Sequence, residues 1–309
     1  MSMRNPRRAG IRPLSAACAG LLALLGCGSP PPLFESATPA AEAFVSTEIP
    51  LRFNGGAPIL VFHAGGDSIE VVLDTGAARV GVGLSAETVR SLGLESTGGT
   101  RTLKTNHGRV RYKRAVVPEA RMGGLSYRNL ACDQVNAEIH PSSAGRGILG
   151  LALLRRFNVL FDYRGSRLLL LRTGLFPADF DSASWKRIPF DDHPDGMMIR
   201  GRPDGTPGDL KWCLDTGAIA LNPDGKVFYN ILKPKHFRGI AGAQEREGRV
   251  FTENQTLKTG GAPLDSLNFL SFDFREPGGV DGFLGADFFM KNRVLVDFSH
   301  AVLWIRKVR

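Results

Sequence analysis

The sequence predicts a mainly β chain built as two related lobes. Three observations predict it. Gly, Val, Leu and Phe fall in short runs bounded by turn residues, which favours strands over long helices. The phrase Leu73-Asp74-Thr75-Gly76-Ala77 returns as Leu214-Asp215-Thr216-Gly217-Ala218. A second phrase trails each copy, Gly147-Ile148-Leu149-Gly150 returning as Gly282-Phe283-Leu284-Gly285. One Asp-Thr-Gly suits many turns. Two copies in one order, each after an apolar run, mark an internal duplication. The 309 residues, 43% of them hydrophobic, give room for two lobes of ordinary size.

The elements follow in order. Arg4, Arg7, Arg8 and Arg12 form a basic segment ahead of an apolar stretch, Leu14 to Leu25, that is too short to span a bilayer comfortably. It ends in Leu24-Leu25-Gly26-Cys27, which resembles the lipobox of bacterial lipoproteins. That resemblance implies a signal peptide over residues 1–26 and lipidation at Cys27. It implies a lipid-anchored protein of the bacterial cell envelope. Gly28 after the Cys implies the outer membrane, facing the periplasm or the cell surface. Residues 27–45, rich in Pro, Ala and Ser, read as a flexible tether.

Removing residues 1–26 takes away four Arg and no acid, so 39 basic residues become 35 against 30 acidic ones. The excess reads as modest and scattered, with no basic run interleaved with aromatics. Nucleic acid is not an expected partner. Cys132 and Cys213 remain in the body, where a disulfide and buried thiols are both open readings. The six His show no ligand spacing, so no metal is expected.

The first repeat covers 46–171. A strand from Ser68 to Leu73 runs into Asp74. Ser85 caps a short helix over Ala86–Leu92, with Gly93 at its end. Residues 100–117 form a hairpin turning at Asn106-His107-Gly108, and strands continue through Leu125–Val135. Asp162-Tyr163-Arg164-Gly165 turns a last hairpin, with Arg167–Leu171 returning. Residues 172–186 connect to the second repeat, 187–309. That repeat follows the same plan, with its own hairpin around Ile240–Glu245 and a final turn at Ser299-His300. The closing segments align without a gap, pairing Val159 with Val294, Leu160 with Leu295, Asp162 with Asp297 and Leu168 with Leu303. Asp162 and Asp297 begin turns and read as structural.

An Asp ending a buried strand is held rigidly beside a tight turn. The Thr hydroxyl can hydrogen-bond across to the partner turn, and the Gly lets backbone pass close to the carboxylate. Two carboxylates brought together share one proton, and such a pair can activate water against an amide.

Here the chain resembles bacterial retropepsin-like aspartic proteases, with two fused copies of the repeat; pepsins and retroviral proteases are the wider relatives. The resemblance implies the two-lobed acid protease fold with pseudo-two-fold symmetry. It makes Asp74 and Asp215 the catalytic dyad, with Thr75, Gly76, Thr216 and Gly217 as its support. It implies aspartic endopeptidase activity on a peptide or protein substrate, no cofactor, and a monomer carrying both lobes in one chain. A flap from the first lobe closes on the substrate; His107 at its tip reads as a solvated turn residue. Ala77 and Ala218 stand where pepsins carry Ser or Thr, so two hydroxyl donors to the dyad are missing. The alternative is a non-catalytic peptide-binding envelope lipoprotein, favoured by the shorter second repeat.

Overall fold

The computed structural model describes residues 44–105, 108–135, 146–222, 225–246, 248–274 and 279–308. All belong to one compact unit, Leu33–Arg309. The readings of residues 1–43, Cys27 included, and of Asn106 and His107 lie outside the described residues.

The chain is mainly β, as its short apolar runs require. β1 (Ser46–Pro50) and β2 (Arg52–Asn54) lead into the hairpin of β3 (Ala57–Ala64) and β4 (Asp67–Asp74). β5 (Val82–Ser85) feeds α1 (Ala86–Ser91), whose first turn is capped by the Ser85 hydroxyl accepting from the Thr88 N–H at 3.1 Å. β6 (Ser96–Thr105) and β7 (Gly108–Met122) form the long hairpin, and β8 (Leu125–Val135) runs back along β7. β9 (Gly147–Gly150), α2 (Leu151–Leu154), β10 (Phe157–Asp162) and β11 (Arg167–Arg172) close the first repeat.

The second repeat opens with β12 (Lys186–Pro189), β13 (Asp191–His193), β14 (Gly196–Pro203) and β15 (Leu210–Leu214). β16 (Ala220–Leu221) and β17 (Phe228–Leu232) follow, then β18 (Gln244–Arg246), β19 (Arg249–Thr259) and β20 (Leu264–Ser271). β21 (Gly282–Leu284), α3 (Ala286–Lys291), β22 (Asn292–Asp297) and β23 (Val302–Lys307) end the chain. The hairpin expected around Ile240–Glu245 lies further on, with Arg246 opposite Arg249 and Gly248 in the turn at φ +74°. Its strand β18 is exposed throughout and offers no alternation to read.

Among the described residues the strands form three sheets. Each repeat builds one: β2-β3-β4-β9-β5-β8-β7-β6 in the first, and β13-β14-β15-β21-β17-β20-β19-β18, with β16 beside β17, in the second. The third sheet is shared, in the order β1-β11-β10-β22-β23-β12. At its centre β10 and β22 run antiparallel with Leu160 opposite Leu295, the same position of the two repeats. Ser166 and Ala301, equivalent turn residues, both take positive φ, 52° and 51°. The carbonyl of each accepts from the chain that enters its repeat, from Leu51 N–H at 2.8 Å and Phe190 N–H at 2.9 Å.

One apolar core runs through both repeats. At the junction Phe161 of β10 meets Phe289 of α3 at 5.3 Å, and Tyr163 stacks on Phe289 at 5.4 Å. Burial of such side chains stabilises by about 1.5–3 kcal/mol each. Cys132 and Cys213 are buried thiols in separate clusters, so no bond joins them. Burial pushes the Cys132 thiol up to about 12.

Candidate active site

The two Asp-Thr-Gly turns meet. β4 lies parallel to β9, with Leu73 opposite Leu149 and Asp74 opposite Gly150. β15 lies parallel to β21, with Leu214 opposite Leu284. The paired phrases of the sequence are therefore paired strands. Their glycines are required by space: a Cβ at Gly150 would collide with the carbonyls of Val80 and Ala77, and one at Gly285 with that of Ala218.

Thr75 and Thr216 are fully buried and interlock. The Thr75 N–H donates to the Thr216 hydroxyl at 2.9 Å, and the Thr216 N–H donates to the Thr75 hydroxyl at 2.9 Å. Each hydroxyl then donates onward across the junction, Thr75 to the Leu214 carbonyl at 3.0 Å and Thr216 to the Leu73 carbonyl at 2.8 Å. This closed, two-fold set joins the strand ends that carry Asp74 and Asp215.

The carboxylates lie above this set. Asp74 is buried, 8% exposed, and its Oδ1 accepts the Ala77 N–H at 3.1 Å. Asp215 Oδ1 accepts the Gly217 N–H at 2.8 Å and, across the junction, the Gly76 N–H at 3.1 Å. Backbone two residues from Asp74 thus touches the Asp215 carboxylate. A Cβ at Gly76 would collide with that carboxylate, which is why this turn needs Gly. Every dyad and support residue expected from the sequence, Asp74, Thr75, Gly76, Asp215, Thr216 and Gly217, falls at this junction.

The two halves are backed differently. Gly150 N–H donates to the Gly81 carbonyl at 2.8 Å, a backbone contact. Gly285 N–H donates instead to Asn230 Oδ1 at 2.9 Å, and Asn230 Nδ2 donates to Asp287 at 2.9 Å. Burial raises the Asp287 carboxyl above its ordinary range, against hydrogen bonds from Asn268, Lys291 and Asn230.

Sequence reasoning missed two features of the junction. Tyr163 is 2% exposed, and its buried hydroxyl has no hydrogen-bond partner among the described residues. Burial, and then the Asp215 and Asp74 charges, push its phenol well up, while Thr216 acts the other way. The second feature is polar. Arg155 donates to Asp192 Oδ1 at 2.8 Å, to the Ala78 carbonyl at 2.9 Å and to the His193 carbonyl at 2.7 Å. Arg79 reaches Asp195 Oδ1 at 2.9 Å. These contacts fasten the segment after Asp74 to the β13–β14 hairpin. On the equivalent side the contact is apolar, with Gly56 of the β2–β3 hairpin packed against Phe228 and Ile219. The signal was departure from the repeat: Arg79 and Arg155 align with Ala220 and Met290.

Asp162 and Asp297 are turn residues. Asp162 accepts the Gly165 N–H at 3.0 Å and pairs with Arg167 and Arg293. Asp297 accepts from Ser299 and His300, whose contacts hold it below the ordinary carboxylate range despite burial.

Residues 57–153 match the family model for aspartyl proteases. The match spans β3 to α2 and includes Asp74-Thr75-Gly76 and Gly147-Ile148-Leu149-Gly150. No curated protein matches the chain.

Proposed function

We propose that this chain is a membrane-tethered aspartic endopeptidase working through Asp74 and Asp215. The observation that carries the reading is the interlocked Thr75–Thr216 set, with the Gly76 N–H delivered to the carboxylate of the opposite turn. The aspartyl protease match over residues 57–153 supports the same chemistry. Two carboxylates this constrained share one proton. Water between them is activated by the ionised carboxylate and attacks a peptide carbonyl. The protonated carboxyl polarises the carbonyl oxygen, and the proton returns to the leaving amine. No covalent acyl-enzyme forms. Both turns come from one chain, so the monomer is complete. The Cys27 lipid anchor holds it at the cell envelope, outside the nucleic-acid compartment.

The test is direct. Asp74→Asn and Asp215→Asn each abolish cleavage of a broad peptide library while circular dichroism and thermal unfolding stay near those of the parent. Asn keeps an Oδ1 acceptor, for the Ala77 N–H at position 74 and for the Gly76 and Gly217 N–H groups at position 215, so the fold has no reason to fail. Full activity in either variant sinks the dyad. Cys27→Ser releases the protein from the membrane fraction if the anchor is as proposed.

A further inference from the structure

One element, the β6–β7 hairpin, carries a run of basic residues with no acid among them. Residues 96–118 carry Arg101, Lys104, Arg109, Arg111, Lys113 and Arg114, and no Asp or Glu.

The hairpin lies beside the dyad. Tyr112 of β7 is buried in a cluster with Val80 and Ile59, against which Ala77 and Val110 pack. Ala77 and Val80 belong to the segment that leaves Asp74. Arg101 is opposite Tyr112 in the hairpin, and Arg114 is opposite Asp133 of β8. Opposite residues share a face of the sheet, so Arg101 and Arg114 lie on the Tyr112 face. Arg101 reaches Asp133 Oδ2 at 3.5 Å and keeps 24% of its side chain exposed. The second Asp133 oxygen is buried with no hydrogen-bond partner. Burial lowers the Arg101 pKa, Asp133 opposes that, and the Arg114 and Arg79 charges add to the lowering. More cation than anion thus stands on the face nearest the dyad. On the opposite face Arg111 and Lys113 are exposed.

We propose that the β6–β7 hairpin makes the cleft selective for acidic peptide segments, with Arg111 and Lys113 drawing the segment in and Arg101 adding to its hold. The proposal rests on the endopeptidase reading of the same site. A run of six basic residues with no acid among them, on a hairpin packed beside the site, raises the capture rate of an anion there. A membrane could meet the exposed face. It could not reach Arg101, which sits inward with Tyr112.

The experiment uses the mature chain in detergent and three peptide sets that share one apolar centre, flanked by Asp/Glu, by Asn/Gln or by Lys. kcat/KM is measured on the active protein, and Kd by fluorescence anisotropy on Asp215→Asn. The acidic set is expected to lead by about tenfold or more at low ionic strength, and the lead shrinks with added salt. Arg111→Gln with Lys113→Gln, both on the exposed face, removes most of the lead. Arg101→Gln removes a further part, but it also strands the buried Asp133, so the double variant is decisive. Equal Kd for the three sets, or a lead untouched by the double variant, overturns the proposal. Binding preference with no cleavage of any set sinks the endopeptidase reading and leaves this one standing. Cleavage without charge preference does the reverse. Binding to anionic but not neutral vesicles that needs Arg111 and Lys113, with no peptide preference, assigns the hairpin to a lipid surface and overturns the proposal.

Discussion

Thr216 and Thr75 each hold two buried groups of the opposite strand end. Thr216→Val orphans the Thr75 N–H and the Leu73 carbonyl. Each orphaned group costs roughly 1–3 kcal/mol. The expected outcome is a large loss of stability in Thr216→Val and little in Thr216→Ser, which keeps the hydroxyl. Urea unfolding checks it, and a valine variant as stable as the serine one would refute the role. Gly76→Ala drives a methyl into the Asp215 carboxylate and is expected to lose activity even where it folds. At this scale much of the site was legible, because the chemistry restricts the residue types: a carboxylate, a hydroxyl and a residue without Cβ, twice. Tyr163 was not legible. A Tyr in a turn after a strand says nothing of what lies beneath it until β10 and β22 are seen to pair.

Among the elements, α1 was readable because Ser85 and Gly93 punctuate it. α2 and α3 were not, since four and six residues are too few for a helical period and both start from Gly without a side-chain cap. The polar clamp between the post-Asp74 segment and the β13–β14 hairpin was equally hidden, because its partners come from far apart in the chain. Arg155 makes all three of its contacts there, two of them to carbonyls. Arg155→Ala is expected to destabilise by about 2 kcal/mol, as loss of charged hydrogen bonds does. It should also lower kcat more than it raises KM, since it loosens the dyad turn rather than the cleft wall. A variant with the parent's melting curve and kcat would show the clamp to be ornamental.

For the whole molecule, pH tests two features. Asp179, in the connection between repeats, is bound by Arg293 at 2.6 Å and Arg306 at 3.1 Å. Hydrogen bonds from Arg293 lead in pulling its carboxyl from 3.8 down to about 2, with burial opposing and Arg306 helping. A lowered folded value means stability that is present above 3.8 and lost as pH falls through about 2. With its side chain 53% exposed the contribution is small. Asp179→Asn should unfold slightly more easily at neutral pH, with the two curves converging as pH approaches 2. The second feature is the alanine after each Asp-Thr-Gly. Ala77 and Ala218 bring no hydroxyl to the dyad, and kcat/KM is expected to follow a bell centred at about pH 5–6. Replacing both with Ser should move the bell toward acid. An optimum near pH 2 in the parent would contradict this.

The shared sheet also sets a timetable. β10 ends at Asp162, yet its neighbour β22 does not begin until Asn292. Until residues 292–307 have emerged, β10 presents a bare edge. Such edges invite pairing with other chains. Under the proposed mechanism, a chain that has not yet paired β22 with β10 leaves its two acids unjoined and has no water-splitting pair. Cutting power then arrives only once β22 has paired with β10. A chain ending at Lys291 should therefore be inert and prone to aggregate, although Asp74 and Asp215 are both present in it.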